Sequence, residues 1–219
     1  NAMSGAIVAE LVNDCVAIGS NALSGALDST NGIDESSGSI GIGKSALAAL
    51  TTGSGNTAIG FQAADTVTTG SNNTIVGHSA LATADATAVS NTALGKGALG
   101  SASSSTTTGN IAIGAGSLTG GSGNLTTNIA IGDYALDDTG SAVQTGTIAI
   151  GNAAGTAINH TDASGSVLIG LNAGAAITSG IGNTAIGQNA LSIETDGDFN
   201  TAVGYQTLQQ QTGTADTIG

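Results

Sequence analysis

Residues 183–191, NTAIGQNAL, decide the fold, because close copies of this stretch recur along nearly the whole chain. An aliphatic residue precedes the glycine in every copy, and a small residue follows it three positions later. The motif glycine stands at Gly19, Gly43, Gly60, Gly77, Gly95, Gly114, Gly132, Gly151, Gly170, Gly187 and Gly204. Successive copies are 17 to 19 residues apart, except for a first interval of 24 that includes an inserted loop at residues 28–37. Such a short, fixed period predicts a solenoid whose repeats pack on their neighbours.

Repeat positions are numbered here from the motif glycine, which is position 0. Position −1 is Ile, Val or Leu in all eleven copies, position −3 is always β-branched, and position −2 is Ala in eight. Side chains alternate between the two faces of a strand, so positions −3 and −1 share one face. We expect them to form ladders inside the coil. The small residues at −2 and 0 would then form an outer face that is buried against other chains.

The residues after the strand predict a turn and a second interior contact. The glycine at position 0 indicates a positive φ or a close backbone approach. Leu occupies +4 in eight copies and is expected to point inward, and the Asn found at −4 in seven copies suits a corner and a hydrogen-bonded ladder. Three copies replace the +4 Leu, and each of them has a large aliphatic residue at +7. The replacements at +4 are Ala64, Gly155 and Gly174, and the +7 residues are Val67, Ile158 and Ile177. This exchange of volume predicts a packed interior.

The fold prediction is therefore an all-β, tandem-repeat parallel β-solenoid of about eleven coils of 17–19 residues. It forms a single domain over residues 4–219. Residues 1–3, Asn-Ala-Met, read as a tag remnant and Met. Residues 216–219, Asp-Thr-Ile-Gly, resemble the start of one more repeat and indicate truncation at the C-terminus.

The amino-acid composition argues against some classes of binding partner. The chain has 36 Gly, two Lys, no Arg, no Trp and no Pro, and its net charge is −13. Nucleic acids and anionic membranes are bound through Lys and Arg, so we expect no nucleic-acid partner and no direct membrane contact by this segment. Disorder is disfavoured by the high content of Ile, Val and Leu.

The motif NTAIG, at 56–60 and 183–187, and its variants CVAIG at 15–19 and SVLIG at 166–170 are each followed by x-x-Ala. Together with the copy followed by x-x-Ser at Ser117, they resemble the head repeats of YadA-like trimeric autotransporter adhesins. Similar repeats occur in phage tail-fibre proteins. The resemblance covers about residues 12–208. It implies a left-handed β-roll, a homotrimer packed along a threefold axis, and an extracellular place on a bacterial surface or virion fibre. The repeats here are longer than the family's compact head repeats, and no coiled-coil stalk or anchor is visible.

No residue is a convincing catalytic candidate, and we expect no enzyme activity and no cofactor. His78 occupies the variable +1 position, and His160 lies in a segment before Thr161 and Asp162. We interpret both as solvated surface residues. Cys15 is alone in the chain, stands at −4, and reads as a small substitute for Asn.

One acidic segment is a weak candidate for a metal site. Glu194, Asp196 and Asp198 alternate along the chain and offer the oxygen ligands that Ca²⁺ prefers. Their spacing is not that of an EF-hand, and a solvated acidic loop is the favoured interpretation. The carboxylates at Asp133, Asp137 and Asp138 are weaker still.

Exposed aromatic residues are few. Phe61 and Tyr205 occupy position +1 and Tyr134 occupies +2, all in different repeats. Isolated aromatic residues predict a poor glycan groove.

The leading hypothesis is a structural and adhesive head segment of a trimeric surface fibre, attached to an unknown host receptor or matrix. A phage tail-fibre receptor-binding segment is the alternative. An ice-binding solenoid would use the Thr residues found at −3 in five repeats, although Val and Ile in the same position suit an interior better. A fibre-borne polysaccharide-degrading enzyme is disfavoured because Arg, Lys, Trp and Tyr are scarce. The sequence does not determine whether the protein is a trimer or a monomer.

Overall fold

The computed structural model describes residues 14–25, 37–82, 87–100, 106–120, 123–140, 143–160 and 164–209. Within them the chain is a parallel β-solenoid with no helix, which confirms the all-β prediction. The strands are β1 (Val16–Ile18), β2 (Ile40–Ile42), β3 (Thr57–Ile59), β4 (Thr74–Val76), β5 (Thr92–Leu94), β6 (Thr107–Thr108), β7 (Ile111–Ile113), β8 (Leu125–Thr126), β9 (Ile129–Ile131), β10 (Gln144–Thr145), β11 (Ile148–Ile150), β12 (Val167–Ile169), β13 (Thr184–Ile186) and β14 (Thr201–Val203). The predicted tag remnant, the predicted start of a further repeat and nearly all of the inserted loop lie outside the described residues.

The main sheet takes one strand from each motif copy. Its order is β1-β2-β3-β4-β5-β7-β9-β11-β12-β13-β14, and every pairing is parallel. The register keeps equal repeat positions side by side, as in Thr57 opposite Thr74 and Ile59 opposite Val76. Each column of the repeat therefore becomes a row of neighbouring side chains along the solenoid.

The two faces of the main sheet are the reverse of the sequence prediction. Position −2 points into the coil, where Ala58, Ala93 and Ala149 have no solvent exposure, and positions −3 and −1 point outward. The period of two was right, but the assignment of its faces was wrong. The interior is narrow, because large +4 side chains from the opposite wall reach across it. A Cβ added at Gly41, which occupies −2, would lie 3.2 Å from Leu23 Cγ.

Interior volume is exchanged between positions, as predicted, and position −2 takes part in the exchange. Seven of the eight +4 leucines are buried, and so are Val67, Ile158 and Ile177 at +7; the eighth, Leu208, is partly buried. Leu168 is a large residue at −2. It fills the space beside two +4 positions that are glycine, one in its own repeat and one in the preceding repeat. A Cβ added at Gly155 or at Gly174 would come within 2.7 Å of a Leu168 methyl carbon. Core packing at near-crystalline density explains why the exceptions occur together.

The motif glycine satisfies both predicted requirements. All eleven have φ between +127° and +150°, a region that L side chains rarely adopt. A Cβ on Gly132 would lie 2.5 Å from the carbonyl oxygen of Gly151 in the next repeat. The clash would be between the added Cβ and main-chain atoms, so it could be relieved only by moving the two repeats apart.

A second wall of the coil, which the repeat pattern did not predict, explains why repeat lengths differ. Position −7 is glycine in all four repeats preceded by a 17-residue interval, namely Gly53, Gly70, Gly180 and Gly197. A Cβ at Gly53 would lie 1.8 Å from the Gly70 carbonyl oxygen. Three longer intervals place a larger side chain at −7 in β6, β8 and β10, which form a separate three-stranded parallel sheet. The one or two extra residues in these intervals therefore separate the chain enough at −7 to accommodate a side chain there.

The predicted Asn ladder is present and lies inside the coil. Asn110 Oδ1 accepts hydrogen bonds from the backbone N–H of Asn128 at 2.9 Å and from its Nδ2 at 3.1 Å. Asn110 Nδ2 donates to Asn91 Oδ1 at 3.0 Å and to the carbonyl of Leu125, at −7 of the following repeat, at 2.8 Å. Each buried amide therefore joins two repeats and two walls of the coil, which satisfies polar groups that would otherwise be costly to bury.

We predict that Gly132→Ala lowers the free energy of unfolding by more than about 3 kcal/mol, because strain at positive φ is added to a backbone clash. Gly146→Ala is the matched control, since Gly146 also has positive φ, +67°, but an added Cβ would meet nothing within 4 Å. The control should lose only about 1–2 kcal/mol. Urea denaturation followed by far-ultraviolet circular dichroism measures both, and equal losses would contradict the close-approach explanation.

Candidate functional surface

The outward face of the main sheet is an apolar strip, called here the outer ladder and defined as positions −3 and −1 of its eleven strands. Every residue at −1 is Ile, Val or Leu, and every one is at least partly exposed. Leu94 in the middle of the sheet is 46% exposed, and Ile18 and Val203 in its end strands are 58% and 56% exposed. The parallel register turns these side chains into two straight rows.

The outer ladder is long for an uncovered apolar surface. Eleven strands at about 4.8 Å spacing extend over roughly 50 Å, and a width of three residues gives an area of about 500 Å². No charged residue interrupts the two rows. The largest contiguous apolar patch on a monomeric protein typically covers about 300–600 Å² and is often a functional surface. The outer ladder is therefore the first candidate for a binding surface.

The residues weighed for catalysis are far apart along the solenoid. His78 follows β4, and His160 lies between β11 and β12. Both are exposed, as expected. Cys15 occupies the −4 position and packs against the core, which agrees with its interpretation as a small substitute for Asn.

The acidic candidate Glu194, Asp196 and Asp198 does not converge on one point. Glu194 is fully buried, and its Oε1 accepts hydrogen bonds from the N–H groups of Thr195, Asp196 and Gly197 at 3.0, 3.2 and 2.8 Å. Asp198 Oδ1 instead accepts the N–H of Ile181 at 2.8 Å. Glu194 thus closes a turn from the interior +7 position. Across the described ranges, no three His, Cys, Asp or Glu side chains form a group that could hold a metal ion.

The weaker carboxylates also make local contacts. Asp133 Oδ1 accepts the N–H of Ala115 at 2.9 Å, and Asp137 accepts the hydroxyl of Thr119. Asp138 is exposed.

The aromatic residues are exposed, as expected, but Phe61 is not isolated. Its ring stacks on His78, with centroids 5.0 Å apart and an interplanar angle of 22°. Lys44 Nζ lies 5.7 Å from the centroid of the same ring. Lys96 occupies the equivalent +1 position of the repeat after His78. Lys44, Phe61, His78 and Lys96 are called the cation–aromatic row; reading the +1 column in order would have revealed it.

Asp65 is a carboxyl group in an unfavourable setting. Burial raises its pKa above the ordinary value, and a backbone hydrogen bond lowers it by less. Among the described residues its Oδ1 is buried without a hydrogen-bond partner. Desolvation therefore disfavours the charged form in the folded state.

We predict that Asp65→Asn raises the denaturation midpoint at pH 7. A raised folded-state pKa means that stability is highest below the unfolded pKa of about 3.9 and falls as pH rises through the folded value. The advantage of the variant should vanish near pH 3, where both states carry a protonated carboxyl. Thermal denaturation at several pH values measures this difference. Asp138→Asn, at an exposed site, controls for net charge; an equal effect there would refute the assignment to Asp65.

No helix within the described ranges is long and apolar enough to span a bilayer. Neither a family model nor a curated protein nor a solved structure matches the chain.

Proposed function

We propose that this chain is a structural and adhesive segment of a trimeric fibre on a bacterial surface or a virion, which attaches its carrier to a host receptor or matrix. The observation that carries the proposal is the outer ladder. Its aliphatic −1 row and the Ile, Val and Thr methyl groups at −3 favour burial against another copy of the chain, since about 25 cal/mol are gained per Å² of apolar surface removed from water.

The seam of this assembly is the outer ladder and replaces the small-residue face expected from the sequence. Position −2 is buried inside the coil and is unavailable to another chain. A parallel sheet repeats the same rows in each subunit, so copies related by rotation about the fibre axis can meet along their whole length. The resemblance to trimeric adhesin heads supports three copies.

The interior is suited to a mechanical role. Backbone hydrogen bonds connect each repeat to the next, as in Thr74 N–H to the carbonyl of Asn91 at 2.8 Å. The buried Asn residues add side-chain bonds between neighbouring repeats, with Asn91 Nδ2 donating to Asn73 Oδ1 and Asn110 Nδ2 donating to Asn91 Oδ1. Stretching or bending the rod would break many such bonds together, which favours a stiff spacer.

A binding role is favoured over catalysis by the placement of the reactive groups. Within the described residues, His78 and His160 stand in different parts of the rod, and neither belongs to a group of three His, Cys, Asp or Glu side chains that could hold a metal ion.

The test is the absolute mass in solution by size-exclusion chromatography with light scattering. The proposal expects three times the chain mass of 20.6 kDa. Leu94→Lys should shift the protein towards monomer, because three ammonium groups would be brought together in a desolvated seam. Leu171→Lys is the matched control, since Leu171 is 42% exposed but lies at +1, outside the outer ladder. A monomeric wild type, or equal dissociation of both variants, would overturn the trimeric seam.

An ice-binding function is a second candidate, because the structure places the −3 threonines outside. Thr57, Thr74 and Thr92 stand side by side on adjacent strands of the outer ladder. A flat, regular row of hydroxyl and methyl groups is compatible with an ordered layer of water.

Thermal hysteresis decides between these candidates. An ice-binding protein should depress the freezing point below the melting point, and Thr74→Lys should reduce the gap severalfold, because the bulky charge disrupts the flat row. Thr178→Lys, on another part of the coil, should leave it unchanged. A trimer without hysteresis excludes this candidate.

A further inference from the structure

The cation–aromatic row concentrates nearly all the positive charge of a strongly acidic chain. Lys44 and Lys96 are its only lysines, there is no arginine, and His78 is one of two histidines. These residues and Phe61 occupy +1 in four successive repeats. Fifteen carboxylates are distributed elsewhere, and none of them stands in this part of the +1 column.

Backbone hydrogen bonds hold the row in register. The N–H groups of Gln62, Ser79 and Gly97 donate to the carbonyls of Lys44, Phe61 and His78, at 2.9, 2.8 and 2.9 Å. The four residues are therefore spaced like neighbouring strands, and the ends of the row are roughly 14 Å apart. All four side chains are exposed.

The ring stack at the centre of the row organises its charges. Phe61 lies between Lys44 and His78, in contact with the cation on one side and the imidazole on the other. Cations are attracted to the face of an aromatic ring, which limits the positions that the Lys44 ammonium samples. Among the described residues, neither lysine takes part in an ion pair. Both ammonium groups can therefore meet an external anion.

The surroundings favour a sugar with few charges over a dense polyanion. The net charge of −13 repels a polymer with a charge on every unit, whereas a single carboxylate meets mainly the local lysines. Position +2 of the same repeats adds Ser45, Gln62 and Ser79, whose hydroxyl and amide groups are hydrogen-bonding partners for sugar hydroxyls. The ring edges of Phe61 and His78 supply apolar contact area for sugar C–H groups.

We propose that the cation–aromatic row binds the carboxylate of an acidic sugar, either a sialic acid or a uronic acid. The carboxylate pairs with Lys44 at one end of the row or with Lys96 at the other, and Phe61 and His78 pack against the sugar ring. This assignment rests on the proposed adhesive function and gives it a receptor class.

The test is isothermal titration calorimetry with 3′-sialyllactose, a hyaluronan tetrasaccharide and neutral lactose. The wild type should bind at least one acidic probe with a Kd of about 1 mM or tighter, and lactose at least tenfold more weakly. The acidic probe that binds better identifies the source of the carboxylate. Acidic probes that bind no better than lactose would overturn the proposal.

Two double variants separate a site from a general charge effect. Lys44→Gln with Lys96→Gln, and Asn152→Asp with Gln188→Glu, each change the net charge from −13 to −15, and all four positions are +1. The lysine variant should lose affinity at least tenfold, while the control should keep it within about twofold. Equal losses would refute the row as a site.

Light scattering on the same samples distinguishes the two proposals. A trimeric wild type that binds neither acidic sugar refutes the acidic-sugar site alone. A monomer that binds an acidic sugar refutes the trimeric fibre and leaves the site standing.

Discussion

The close approach of successive repeats at the motif glycine is the constraint on which the rest of the structure depends. Gly132 and Gly151 are separated by less than the space that one methyl group needs, and the same geometry recurs along the column. Because the backbones of successive repeats are in close contact at the motif glycine, each strand lies at sheet spacing from the next. Register, the interior Asn ladder and the rows of surface side chains all follow from it. The glycine column therefore sets the pitch of the solenoid.

The interior combines a polar ladder with an exchange of apolar volume. Asn amides satisfy the backbone at one corner, while the +4, +7 and −2 side chains share a space of nearly constant size. Leu168, placed between Gly155 and Gly174, shows that volume is balanced between adjacent repeats as well as within one. Such balance lets individual positions vary while the coil keeps its cross-section.

The surface divides into regions with different physical roles. The outer ladder is uncharged, with an aliphatic row at −1 and a row of Thr, Ile and Val at −3, which suits contact with copies of the chain. The cation–aromatic row follows the motif glycine, where the turn directs side chains to solvent. The hydrogen bonds between repeats at this position are made by the backbone, so the side chains are free to vary. The proposed assembly and the proposed ligand binding therefore use separate columns of one repeat.

The sequence by itself determined the solenoid, the place of each strand before its glycine, the need for that glycine, the Asn ladder and the exchange between +4 and +7. Each of these features depends on local backbone geometry or on a residue type that recurs at the same repeat position. Only the tertiary structure decided which strand face is inside, because a period of two is symmetric between the faces and the +4 leucines across the coil leave room only for a small −2 residue. It also decided the second wall at −7 and the juxtaposition of Lys44, Phe61 and His78, since both depend on distances between neighbouring repeats.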